Sequence, residues 1–256
     1  MSGCSCHVTK RLRILAAALI LCACGGQGSG SQPAETSITV FAAASLQPAF
    51  DKIGARLKTT YNITTTFNYA GTQTLTAQLQ QGAQGDVFAS ADIAHMTTVQ
   101  DAGLLGGQSR VFAHNKLEIA VAKGNPKHIQ TLADLSRADL VLVLADPSVP
   151  AGKYAQQALT KAKVTVHPAS LELQVTAVLN KVALGEADAG IVYISDVVTS
   201  GKVEGVTIPD EQNVIADYPI AALKSGSNAA GARKSIDLVL APDGQAILKA
   251  AGLQGV

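Results

Sequence analysis

The sequence predicts an α/β fold of mostly parallel sheets covered by helices. Three observations carry this. Short apolar runs bounded by turn residues alternate with stretches of helical periodicity along most of the chain. The 256 residues are 47% hydrophobic but hold no Trp and few other aromatics, so Ala, Val, Leu and Ile must build the core, as in sheets buried on both faces. Only 15% of residues are charged, which suits one large or two modest domains with real cores.

The chain opens on a targeting segment. Lys10, Arg11 and Arg13 form a positive region ahead of the apolar run Ile14 to Leu21, which is too short to span a bilayer. Leu21-Cys22-Ala23-Cys24-Gly25 then resembles a bacterial lipoprotein signal, with residues 1–23 removed and Cys24 lipidated. All four Cys lie in this segment, so the exported chain forms no internal disulfide and relies on packing. Without its three basic residues, the chain has 17 basic residues against 19 acidic ones. No basic patch stands out, and nucleic acid is not expected as a partner. Residues 24–35, rich in Gly, Ser, Gln and Pro, read as a flexible tether.

Ile38 to Ala42 reads as a buried strand running into a helix from Ser45, with Ser45 as a good N-cap, Pro48 in the first turn, and Leu46, Phe50, Ile53 and Leu57 at helical spacing. Asn62 to Tyr69 alternates as a second strand and leads into a short helix with Thr72 at its start and Gly82 at its end. Asp86 to Ala91 is a third strand, and Asp92 caps a helix reaching about Ala102. Asp86 and Asp92 read as structural carboxylates rather than catalytic acids. Val111–Phe112 and Leu117–Ala122 are two further apolar runs, and Thr131 to Leu135 a short helix. Leu140 to Ala145 is a fully buried strand, followed by a turn over Asp146–Gly152 and a helix over Lys153–Ala162. Val164 to Ala169 reads as another strand or extended piece. Leu173 to Leu184 is an amphipathic helix starting near Gln174 and Val175, with Val175, Val178, Leu179 and Val182 on one face. Ala189 to Ile194 is a buried strand whose Tyr193 has a phenol to place. Val206–Ile208 and Tyr218–Ala222 are return strands, and Ala229–Leu240 and Gly244–Ala251 terminal helices.

Four helix N-termini thus follow strands and carry small, apolar or hydroxyl residues: Ser45, Thr72, Ala151 and Val175. Each such end presents free N–H groups and about half a positive charge. If they converge, they form a cage of neutral donors for one anion. Lys153 does not make a P-loop, because Gly152-Lys153-Tyr154 lacks the following Ser or Thr and the upstream Gly. His95, His114, His128 and His167 are scattered without metal-ligand spacing.

The stretches ITVFAAASLQPAF, YAGTQTL, GDVFASAD, DPSVPAGKYA, Leu173–Leu184 and GIVYISD together resemble the periplasmic molybdate-binding proteins of bacterial molybdate ABC transporters, over nearly all of the exported chain. The resemblance implies the two-lobed type II periplasmic-binding-protein fold, each lobe a mostly parallel sheet flanked by helices, with the ligand in a hinged cleft. Residues 36–112 with 218–256 would form one lobe and 113–217 the other. It implies a ligand, molybdate or tungstate, and no cofactor and no direct protein–metal bond. Ser45 would give its hydroxyl and N–H, Thr72 the same where the family usually has Ser, Ala151 and Val175 their N–H groups, and Tyr193 its phenol. The implied partner is a membrane permease, the expected state a monomer anchored by lipid at Cys24 on the outer face of the cell membrane. A sulfate or other oxyanion carrier of the same fold is the nearer alternative. An exported serine hydrolase using Ser45 is the remote one, since the sequence has no Gly-x-Ser-x-Gly elbow.

Overall fold

The structure, a computed structural model, describes residues 36–256. The signal segment 1–23, the tether 24–35 and Cys24 lie outside the described residues. In chain order the strands are β1 (Thr36–Ala43), β2 (Ile63–Ala70), β3 (Val87–Ala89), β4 (Arg110–Ala122), β5 (Leu142–Ala145), β6 (Ser170–Glu172), β7 (Ala189–Tyr193), β8 (Val203–Thr207) and β9 (Ile215–Ala222). The helices are α1 (Gln47–Tyr61), α2 (Thr72–Gln80), α3 (Ile93–Asp101), α4 (Pro150–Ala162), α5 (Val175–Ala183), α6 (Ile194–Ser200), α7 (Ala229–Leu240) and α8 (Pro242–Ala250).

The sheet is mixed rather than simply parallel. Two parallel triplets, β2-β1-β3 and β7-β5-β6, are joined through β9 and β4, which run antiparallel to their neighbours. The two apolar runs at Val111–Phe112 and Leu117–Ala122 are halves of the single strand β4, interrupted in sequence by His114, Asn115 and Lys116. β4 pairs with β9 from Arg110 to Lys116, then with β7 and β8 from Leu117 to Ala122. The change of partners falls between Lys116 and Leu117. A strand that serves two sheets faces a different environment in each half, so its apolar pattern breaks at the crossing.

The helices form for the reasons their sequences give. In α1, Phe50, Ile53 and Leu57 are buried, Pro48 sits in the first turn, and Asn62 ends the helix in the left-handed region at φ 53°. In α5, Val175, Val178, Leu179 and Val182 form the buried face, as the periodicity predicts. Asp92 caps α3 by accepting the His95 N–H at 3.0 Å. Asp86 is structural, accepting the N–H groups of Thr39 and Asn228 at 2.7 and 2.8 Å.

Two expectations are corrected. Val164 to Ala169 forms no strand; the edge strand is β6, which begins at the next residue, because Ser170–Glu172 is what pairs with Val143–Ala145. Ser45 is not an N-cap. It lies inside a 3-10 turn over Ala44–Leu46 that precedes α1, and no side chain caps either.

Candidate functional site

Every sequence-predicted binding residue of the described chain lines one cavity. Ser45 reaches it from the turn after β1, Thr72 from the start of α2, Ala151 from the start of α4, Val175 from the start of α5, and Tyr193 from the end of β7. The cavity is small, with a volume of about 10 Å³. The rest of its wall is Ala43, Ala44, Ala70, Gly71, Ala91, Val149 and Pro150. No charged side chain lines it.

Each element start is set by local sequence. Pro150 opens α4, its missing N–H harmless in the first turn, so Ala151 and Gly152 follow in the turn facing the cavity. Gly152 lets this turn sit against the end of β5: a Cβ there would lie 2.1 Å from the Asp146 carbonyl oxygen and 2.4 Å from that of Ala145. Gly71 does the same across the cavity mouth, where a Cβ would meet the Leu173 carbonyl oxygen at 2.4 Å. The Gln73 amide nitrogen donates to that same carbonyl at 2.8 Å, tying α2 to the segment ahead of α5.

The hydroxyls are placed by partners far away in sequence. Ser45 Oγ lies 3.1 Å from the Tyr218 phenol. Thr72 Oγ1 accepts the Ala91 N–H at 3.2 Å, which leaves its own proton to donate elsewhere. Neither hydroxyl caps a helix. The Tyr193 hydroxyl is buried, lines the cavity and has no partner in hydrogen-bond geometry. The Tyr218 ring stands edge-on to it at 5.8 Å between centroids, close enough for its phenol to influence the titration of Tyr193. Burial, reinforced by Tyr218, Tyr154 and Asp196, pushes the Tyr193 phenol well above its ordinary value. Tyr218 is raised too, again chiefly by burial. Both remain neutral donors. Behind the cavity, buried Asp196 accepts the Tyr193 N–H at 3.0 Å, and burial raises its carboxyl from 3.8 to about 7.

A buried O–H left without a partner costs about 1–3 kcal/mol. Donors aimed at one small volume, walls otherwise of Ala, Val and Pro, and no carboxylate to accept a proton make a site for an acceptor-only ligand. Among the described residues, the side-chain partner of Ser45 is a phenol, not an imidazole or carboxylate. His95 and His114 engage Asp92 and Asp217 at 2.8 and 2.7 Å. Lys153 is exposed and absent from the cavity wall. Among the described residues no group of three or more His, Cys, Asp or Glu could hold a metal ion, and no helix is long and apolar enough to cross a membrane.

The sequence reading missed Tyr218 and Asn115, which stand behind Ser45. A Tyr in an otherwise small and apolar strand, Tyr218-Pro219-Ile220-Ala221-Ala222, was the available signal, the same one that singled out Tyr193.

A mixed α/β sheet with a cavity lined by neutral donors suits a protein that binds a small solute. The chain belongs to the family of bacterial extracellular solute-binding proteins, whose profile matches residues 38–254. It is 45% identical over 239 residues to the molybdate-binding protein ModA of Mycobacterium tuberculosis, covering 91% of this chain and 92% of the relative. Among solved structures, the periplasmic molybdate-binding protein of Azotobacter vinelandii superposes with a TM-score of 0.75 at 20% identity, covering 84% of this chain and 98% of that one. The sulfate-binding protein SubI of M. tuberculosis gives 0.79 at 17% identity, covering 86% and 87%. These two structures share the fold, and the fold is common to carriers of different oxyanions. The family consists of binding proteins, and this chain is not an enzyme.

Proposed function

We propose that this protein is the substrate-binding component of an ABC importer, capturing molybdate, and tungstate of nearly the same size, and passing it to a membrane permease. The observation that carries the reading is the unpartnered Tyr193 O–H in a charge-free cavity of neutral donors. A tetrahedral dianion supplies the acceptors those donors lack. The hydroxyls of Ser45, Thr72 and Tyr193 and the N–H groups of Ser45, Ala151 and Val175 hold its oxygens, and the helix starts contribute their positive ends. The 45% identity to a molybdate-binding relative over nearly the full chain supports this ion over others of the fold.

Protonated oxyanions are rejected because their O–H finds no acceptor. Sulfate is rejected by size. Residues 36–112 with 218–256 form one lobe and 113–217 the other, with the hinge in the crossing strands β4 and β9. Closure buries the ion, so binding and hinge motion are one event. Cys24 carries the lipid anchor, which holds a monomer at the outer face of the cell membrane beside the permease.

Thermal unfolding of the full chain with molybdate, tungstate, sulfate and phosphate in turn tests this. At a hundred times its dissociation constant a ligand adds about 2.7 kcal/mol, which raises the midpoint by about 5–10 °C in a chain of this size. Molybdate and tungstate give this rise on the proposed reading. A rise with sulfate alone moves the ligand, and a rise with none removes the site. Mass spectrometry of the membrane fraction tests the anchor, and an unmodified Cys24 on the mature protein refutes it.

A further inference from the structure

Ser45 sits at one end of a buried chain of polar groups that reaches back to the strand crossing. Asn115 lies on β4, one residue before the change of partners. Its Oδ1 accepts the Lys116 N–H at 3.0 Å, a backbone donor that fixes which way the amide faces. Its Nδ2 therefore donates, to Ser195 Oγ at 2.8 Å and, at a longer 3.5 Å, to the Tyr218 phenol. Tyr218 accepts from Asn115 and must place its own proton. The acceptor in reach is Ser45 Oγ at 3.1 Å. Asn115, Ser195 and Tyr218 are each 1% exposed or less, so no bulk water relieves a misdirected proton. Ser45 accepts from Tyr218 and has no other protein partner. Its proton is left for the cavity.

We propose that Tyr218 and Asn115 are positioning residues: through a one-way relay, Asn115 to Tyr218 to Ser45, they lock the Ser45 hydroxyl as a donor into the binding cavity and so help restrict the site to unprotonated oxyanions. The inference rests on the function proposed above and deepens it. Without the relay, Ser45 is a free rotor that accepts as readily as it donates.

The test is a double-mutant cycle read by calorimetric titration of the full chain with molybdate and, separately, with phosphate at neutral pH, where phosphate carries at least one proton. Tyr218→Phe keeps the ring packing and is expected to weaken molybdate about 2- to 13-fold, the effect of one net hydrogen bond. In a Ser45→Ala background the same change is expected to cost much less, because Tyr218 acts on the cavity chiefly through Ser45. Asn115→Asp supplies an acceptor where the relay begins. Tyr218 then donates backwards, Ser45 donates to Tyr218, and a lone pair faces the cavity. This variant is expected to lower the molybdate-to-phosphate affinity ratio by about tenfold or more. Losses that multiply in the cycle, or an Asn115→Asp variant that weakens both anions alike, overturn the relay while wild-type molybdate binding leaves the function standing. A wild-type chain that binds no molybdate overturns both.

Discussion

The wall of the cavity built from the turn before α1 and the start of α2 and the wall built from the starts of α4 and α5 offer donors of different kinds. On the first, Ser45 and Thr72 offer hydroxyls, and each is steered by a second group, the Tyr218 phenol or the Ala91 N–H. On the second, Ala151 and Val175 have no polar side chain, and only their backbone can donate. A hydroxyl rotates and must be aimed, whereas a backbone N–H is aimed by the helix that carries it. One wall is therefore sensitive to side-chain chemistry, the other to anything that moves a helix. Tyr193 combines the two, since Asp196 holds its backbone at 3.0 Å while its phenol waits without a partner.

This contrast orders the expected effects of substitution. The largest belongs to the side-chain donors. Ser45→Ala and Tyr193→Phe each remove a hydrogen bond to a charged ligand, worth about 1.5–3 kcal/mol, or roughly 10- to 150-fold in affinity. Tyr193→Phe carries a second signature: it deletes a buried hydroxyl with no partner, so the ligand-free protein is expected to melt at a higher temperature while binding falls. A variant that melts lower and binds normally would put the phenol outside the site. On the other wall, Gly152→Ala should act through the helix. Its Cβ cannot coexist with the Asp146 and Ala145 carbonyl oxygens, so the start of α4 shifts, and a displacement near 1 Å can cost up to about 100-fold. Normal affinity in Gly152→Ala would show that the backbone wall is not used. Val175→Ala, which leaves the N–H in place, is expected to change affinity by less than about threefold; a larger loss on titration would make the Val175 side chain, not its backbone, the contributor.

A further effect is on stability rather than on binding. Asp196 keeps its proton up to about pH 7 when folded, against an ordinary 3.8. Between those values the folded chain binds more protons than the unfolded one, so this group's contribution is present below the unfolded value and is lost as pH rises through about 7. Asp196→Asn keeps an acceptor for the Tyr193 N–H and is expected to flatten that part of the stability–pH curve, as followed by chemical denaturation. An unchanged slope would assign the pH dependence to other groups.

Much of the fold was legible because periodicity is local. The apolar faces of α1 and α5 and the Pro and Asp signals at helix starts are written within a few residues of the feature they make. The crossing strand was not legible as one element, because His114, Asn115 and Lys116 interrupt its apolar pattern where it changes neighbours. The same limit hid the true role of the Ser45 hydroxyl. Its short, polar side chain after a strand reads as a cap, yet the group that engages it is Tyr218, 173 residues away. Pairings at that separation leave no local trace. The five cavity residues were named through resemblance to a family, and local pattern alone gave only four helix starts with no reason to meet.

X-ray diffraction from crystals grown with molybdate, collected at the molybdenum absorption edge, tests the central claim most directly. A single anomalous peak inside the cavity, with oxygens in hydrogen-bond reach of Ser45 Oγ, Thr72 Oγ1, Tyr193 Oη and the Ala151 and Val175 N–H groups, is the expected result. A peak elsewhere on the molecule, or none in the cavity at saturating molybdate, would contradict the account.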